Sequence, residues 1–272
     1  MRYREAKETW RRAFAEWTTP RWQATVPSAT LRIATNVVPC DANPAHALHT
    51  ANVFLHQQLY SRLLRGRPGP YVVPDVAIRW EVGDDGLRYR VQLDPEARCN
   101  DGGAITAVDV VESIHTVLDP KTGSTEVSHL SPLENANAFA AGEIDDFQLV
   151  GVHALDEHTV ELRLRAPAPF WIFLLTFPAQ SGAHAARTSG PFQVTRLDAS
   201  GTAVERDPRY AHPKGGNVAV VEWLRRSRDE VIDALLRNEI DVANPILPTP
   251  AATEAIAAGR PISAVTAPWM TS

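Results

Sequence analysis

The chain has 272 residues, 44% of them hydrophobic and 22% charged, with a net charge of -5. That composition suffices for one large core or two modest ones and excludes disorder as the main state. The acidic balance, with no stretch alternating Lys/Arg with aromatics, excludes nucleic acid as an expected partner.

Residues 1–27 open with MRYREAKETWRRAFAEW, which places Tyr3, Ala6, Trp10, Phe14 and Trp17 on one side of a helix closed by Thr18-Thr19-Pro20. This predicts an amphipathic helical extension. It is charged throughout and lacks the continuous apolar stretch of a secretory signal, so the chain as written reads as cytoplasmic, or extracytoplasmic if a signal has been removed. The longest apolar run, PFWIFLLTFPA, is too short to span a bilayer and is bounded by prolines.

TLRIATN (30–36) alternates as a strand, CDANPAHA is a loop, and TANVFLHQQLYSRLL (50–64) reads as a helix. DVAIRWEVGDDGLRYRVQL gives two alternating strands joined at Asp84-Asp85-Gly86, a strong hairpin signal. In RCNDGGAITAVDVVESIHTVLDP (98–120), Asp101-Gly102-Gly103 is turn chemistry. Thr106 fits an N-cap with Asp109 three residues on, and Val110, Val111, Ile114, Val117 and Leu118 form an apolar face. A short helix near 136–141, a strand pair FQLVGVHALD and HTVELRLRA, and the buried segment APFWIFLLTF follow. The last third predicts strands in GPFQVTRLD, GTAVERDP, VAVVEWLRR and ISAVTA, and a helix in RDEVIDALLRNEI.

Candidate chemistry is sparse. His46, His49 and His56 fall at i, i+3 and i+10 and would share a helical face if loop and helix were continuous, a spacing that could serve zinc or nickel. Asn43-Pro44 puts His46 in a loop instead, so no metal is expected and these three stand as weak candidates. The two cysteines, Cys40 and Cys99, are compatible with one bridge or two free thiols. Cys99 beside Asn100 reads as a packed thiol rather than a nucleophile, because no helix start or histidine is placed to activate it. No nucleophile elbow, P-loop, dinucleotide fingerprint or His-Glu-x-x-His is present, so no catalytic residue and no cofactor is expected.

The order of elements resembles the family 5 solute-binding proteins of ABC transporters, the oligopeptide, dipeptide and nickel binders. The likeness is carried by LRIATN with its Asn43-Pro44 loop, by VVPDVAIRWEVGDDGLRYRVQLDPEARCNDGGAITAVDVVESI and by NANAFAAGEIDDFQLVGVHALDEHTVELRLRAPAPF. SGPFQV, ERDPRY and ALLRNEID continue it. Cys99 and Asn100 depart from an aromatic and a His usual in the family, and Phe192 from a common Tyr.

The resemblance implies an α/β fold of the type II periplasmic-binding-protein kind. Lobe I would comprise 28–50 and 178–272, with an inserted α+β subdomain at 51–177. The family continues into a second lobe, so this chain looks like a truncated half-clamshell. A peptide or similar small molecule is the implied ligand, held by β-augmentation, with Asn36, Val37, Val38, Pro39 and Cys40 on one stretch and Ser189, Gly190 and Phe192 on another. Two alternatives stay open: a scaffold recruited as an enzyme or accessory protein in a biosynthetic pathway, and a domain that homodimerises or meets a partner protein over the exposed wall.

Overall fold

The computed structural model describes residues 28–46, 50–67, 71–168, 171, 175, 187–210, 217–227, 230–243, 254 and 257–258. The N-terminal helix, His49, most of APFWIFLLTF and the strand expected in ISAVTA lie outside these residues. The described elements run β1 (Ala29–Thr35), α1 (Thr50–Leu59), β2 (Leu64–Arg67), β3 (Tyr71–Pro74), β4 (Ala77–Val82), β5 (Arg88–Leu93) and α2 (Ala107–Leu118). They continue with α3 (Val127–Leu130), α4 (Ala136–Ala140), β6 (Val152–Asp156), β7 (Thr159–Arg163), β8 (Phe192–Asp198), β9 (Gly201–Arg206), β10 (Val218–Arg225), α5 (Val231–Leu236) and β11 (Val242–Ala243).

One sheet is local in sequence: four antiparallel strands in the order β4-β5-β7-β6. The β4–β5 turn closes with Gly86 N–H on the Gly83 carbonyl at 2.9 Å, and Gly86 takes φ 74°, the left-handed region glycine enters freely. Strict alternation in β5 turns Tyr89, Val91 and Leu93 inward. They meet Val110 and Leu118 of α2 in a core that also takes Cys99, Trp171 and Leu175. At the start of α2 the Thr106 and Asp109 side chains cap each other's backbone N–H groups, the full capping box expected there.

The second sheet joins distant parts of the chain in the order β11-β1-β10-β9-β8. β1 is parallel to both neighbours, while β10, β9 and β8 are antiparallel in turn. Register then fixes the edges. Thr35 pairs with Arg225 and Ala34 with Ala243, so the carboxyl ends of β1, β10 and β11 share one edge. Ala29 pairs with Val218, and Phe192 with Arg206, at the other.

Alternate positions face opposite ways, which puts Val221 and Trp223 under α1 and Leu224 with Ala34 under α5. Leu55, Leu59 and Tyr60 are fully buried against the first face, at about 2 kcal/mol for each side chain. So α1, although within 51–177, packs on the five-stranded sheet.

Three elements end earlier or start later than their sequence period suggests. α1 stops at Leu59 rather than reaching Leu64, because the Leu59 carbonyl accepts the Ser189 and Gly190 N–H groups. FQLVGVHALD is a strand only from Val152. Phe147–Leu149 is a 3-10 turn that stacks Phe147 on His115 and Phe139 at centroid distances of 4.4 and 5.1 Å. α5 ends at Leu236, and Asn238 turns the chain out at φ 57°.

Candidate ligand-binding site

Ligands of open α/β sheets bind beyond the carboxyl ends of the parallel strands. Here that edge carries the loop after β1. Asn36 and Val37 (39% exposed) point outward, Val38 and Pro39 are buried, and Cys40 is exposed again. The loop is anchored from beneath. The Thr202 hydroxyl donates to the Pro39 carbonyl, Cys40 N–H donates to Asn52 Oδ1 at 3.0 Å, and the Tyr60 hydroxyl donates to the Ala42 carbonyl at 2.8 Å. His56 Nε2 lies 2.9 Å from the Asp41 carbonyl. Asn43 and Ala45 N–H groups close on the side chains of Asp41 and Asn43 at 2.7 and 3.1 Å. A turn rich in short polar residues is therefore rigid at its base and open at its tip.

The second predicted stretch does not join it. Phe192 pairs with Arg206 at the amino edge, about 20 Å away at ~3.3 Å per residue over the length of β1. Ser189, 1% exposed, and Gly190 give their N–H groups to Leu59 at 3.1 and 2.8 Å. Ser61 exchanges two more bonds with Ser189, N–H to Oγ at 2.9 Å and Oγ to carbonyl at 2.7 Å. Phe192 is buried beneath the Arg206 guanidinium, 5.2 Å from the ring centroid. Val38 and Phe192 meet only as members of one core cluster around α1. Of the eight candidates, Asn36, Val37 and Cys40 are exposed, and Val38, Pro39, Ser189, Gly190 and Phe192 are buried.

Asn100, 4% exposed, was not singled out as a site residue, yet it holds the second stretch in place. Its Nδ2 donates to the Gly190 carbonyl at 3.0 Å, Asp207 Oδ2 at 2.9 Å and Thr188 Oγ1 at 3.2 Å, while its backbone N–H reaches the Thr188 carbonyl at 2.8 Å. Burial pushes the Asp207 carboxyl up, but Arg209 and the Asn100 amide outweigh it and hold Asp207 below the usual carboxylate range. Nearby, Arg187 Nε bonds Asp101 at 2.9 Å, so the turn aspartate also ties the two sheets together. The departure from His at this position was the signal available in the sequence.

Of the three candidate histidines, His46 and His56 are described and both bond Asp41. His46 Nδ1 faces Asp41 Oδ2 at 3.1 Å and His56 faces the same residue's backbone, and among the described residues no three His, Cys, Asp or Glu side chains form a metal-holding group. Both cysteines are free. Burial pushes the Cys99 thiol up to about 11, which keeps it protonated at neutral pH.

Residues 71–271 match the family model of bacterial extracellular solute-binding proteins, family 5. Over 109 residues the chain is 38% identical to the probable deoxycholate-binding periplasmic protein YgiS of Escherichia coli K12, covering 39% of this chain and 20% of that protein. Over 148 residues it is 31% identical to the periplasmic murein peptide-binding protein MppA of the same organism, covering 52% and 27%. The solved structure of OppA from Burkholderia pseudomallei superposes with a TM-score of 0.76 at 20% identity, over 87% of this chain and 49% of that one. The chain thus spans about half the length of the solved relative, and the superposition establishes the same mixed α/β fold.

Proposed function

Because the chain belongs to the bacterial extracellular solute-binding proteins of family 5, we propose that it captures an extended peptide outside the cytoplasm, without chemistry. The observation that carries this reading is the loop after β1. It stands at the carboxyl edge of the parallel strands, tethered through Pro39, Cys40, Asp41 and Ala42, with Asn36 and Val37 exposed. A rigid base spares the ordering cost that a mobile loop would add to binding. Exposed backbone beside a strand end suits main-chain pairing with a ligand of varied sequence. In this reading Asn36, Val37 and Cys40 touch the peptide, while Val38 and Pro39 set the tip's height. Ser189, Gly190 and Phe192 act as framework at the far edge.

Murein-peptide binding by MppA supports peptides as the ligand class. Titration of the purified chain with a fluorescent mixed-sequence tripeptide to pentapeptide pool tests it. Saturable binding that Val37→Asp weakens about tenfold or more is expected, as one charge in an apolar contact costs at least ~1.4 kcal/mol. Absence of saturable binding, or equal binding by the variant, would refute it.

A further inference from the structure

Arg62 follows α1 at the seam between the two large cores and is only 7% exposed. Its backbone is fixed: the N–H donates to Asp75 Oδ2 at 3.1 Å and the carbonyl accepts from Val76 at 2.9 Å. The Asp75 carboxylate is shared. Arg65 Nη2 takes both of its oxygens at 2.9 and 3.0 Å. Tyr210 completes the group, its phenol pushed up to about 12 by burial, within electrostatic reach of Asp75, Arg65 and Arg62.

The Arg62 guanidinium is the exception in this cluster. Its Nε is buried with no hydrogen-bond acceptor among the described residues. Burial and the Arg65 charge lower it to about 10, so it still carries its proton at neutral pH. Two guanidiniums share the one Asp75 carboxylate, and a buried Nε–H without an acceptor carries a desolvation cost that a bound oxyanion would relieve. The planar fork of an arginine matches the paired oxygens of a carboxylate or phosphate.

We infer that Arg62, flanked by Arg65 and Tyr210, forms a binding site for a small oxyanion, a carboxylate or phosphate group, at this seam. Three segments contribute: the end of α1, the β2–β3 hairpin with Asp75 after it, and the stretch following β9. An occupant would bond across all three and stiffen the junction between the sheets. Arg62 lies three residues beyond Leu59, whose carbonyl holds Ser189 and Gly190 at the amino edge. The site is therefore separate from the loop after β1, and its fate does not depend on the peptide reading.

Thermal unfolding of the full chain at neutral pH, in rising inorganic phosphate or acetate against chloride at matched ionic strength, tests the inference. A saturable rise in Tm over chloride is expected, since a ligand of the folded state shifts the equilibrium by mass action. Arg62→Met should abolish it, and Arg62→Lys should weaken the apparent affinity about tenfold by exchanging a fork for a point charge. Response to phosphate alone assigns a phosphate group, and response to both assigns a shared oxyanion fork. No rise above chloride in the wild type, or an equal rise in Arg62→Met, overturns the inference. If Arg62→Met does not fold, phosphorus NMR line broadening of free phosphate by the wild type and by Arg62→Lys decides, and equal broadening by the two overturns it.

Discussion

Replacing Asn100 with Ala removes an amide that ties its own turn to two distant segments, at Thr188–Gly190 and at Asp207. The bond to the buried Asp207 carboxylate is charge-assisted and worth about 2 kcal/mol, and the bond to the Gly190 carbonyl about 1 kcal/mol. The contact with Thr188 Oγ1 at 3.2 Å shares the same two protons and adds little. A small cavity costs about 1 kcal/mol more, and deleting the buried Oδ1, which has no partner among the described residues, returns a similar amount. The expected loss is about 3 kcal/mol.

Asn100→Asp keeps the shape but sets a second carboxylate 2.9 Å from Asp207. Like charges in that site raise one carboxyl's folded pKa above its unfolded value near ~3.9. The penalty is then absent below ~4 and grows as pH rises through the raised folded pKa. Urea unfolding followed by tryptophan fluorescence, at about pH 7 and about pH 4.5, measures both variants. A loss under ~1 kcal/mol in Asn100→Ala, or a penalty in Asn100→Asp that does not shrink with acidification, would refute the reasoning.

Two further outcomes follow from the same framework. A Cβ at Gly190 would land on the Gln58 carbonyl oxygen and lie 2.5 and 2.6 Å from backbone atoms of Leu59 and Tyr60. None of these can rotate away, so Gly190→Ala should cost more than about 3 kcal/mol, whereas Gly66→Ala, which meets open space, should stay within about 1 kcal/mol in the same unfolding assay. Burial lowers the His56 pKa, only partly offset by its bond to the Asp41 carbonyl and by the charges of Asp41 and Glu126. A folded pKa below the unfolded ~6.5 gives stability that is full above that value and lost as pH falls through the folded one. The drop in Tm from about pH 7 to about pH 5 should therefore flatten in His56→Gln, and an unchanged slope would exclude His56 as its source.

Local chemistry was legible in the sequence wherever it is complete within a few residues. Asp84-Asp85-Gly86 forms its hairpin and Thr106 with Asp109 forms its box, because each of these structures satisfies its own hydrogen bonds. The family and the α/β class were legible from the order of such pieces. What could not be read was register across distance. The loop after β1 and the stretch at Ser189 were both expected to face the ligand, and the antiparallel return of β9 and β8 carries Phe192 to the opposite edge of the sheet. The end of α1 was hidden for the same reason: helical periodicity runs on through Tyr60 to Leu64, but the Ser189 and Gly190 amides take the Leu59 carbonyl, and Ser189 Oγ and Asp75 take the Ser61 and Arg62 N–H groups. Arg62 had no signal at all, since an arginine looks alike on a surface and in a seam.

The interior place of β1 in its sheet, between β11 and β10, also bears on synthesis. Thr35 leaves the ribosome about 190 residues before its partner Arg225, a wait on the order of 10–40 s at about 5–20 residues per second. The whole four-stranded sheet can form in that interval, while the open N–H and C=O groups of β1 stand available to any stray strand. Arg32 at its centre serves two stages of the chain's life. Its charge discourages wrong pairing while the strand is alone, and later it clasps Asp241, 209 residues downstream, with Nε and Nη2 at 3.1 and 3.0 Å.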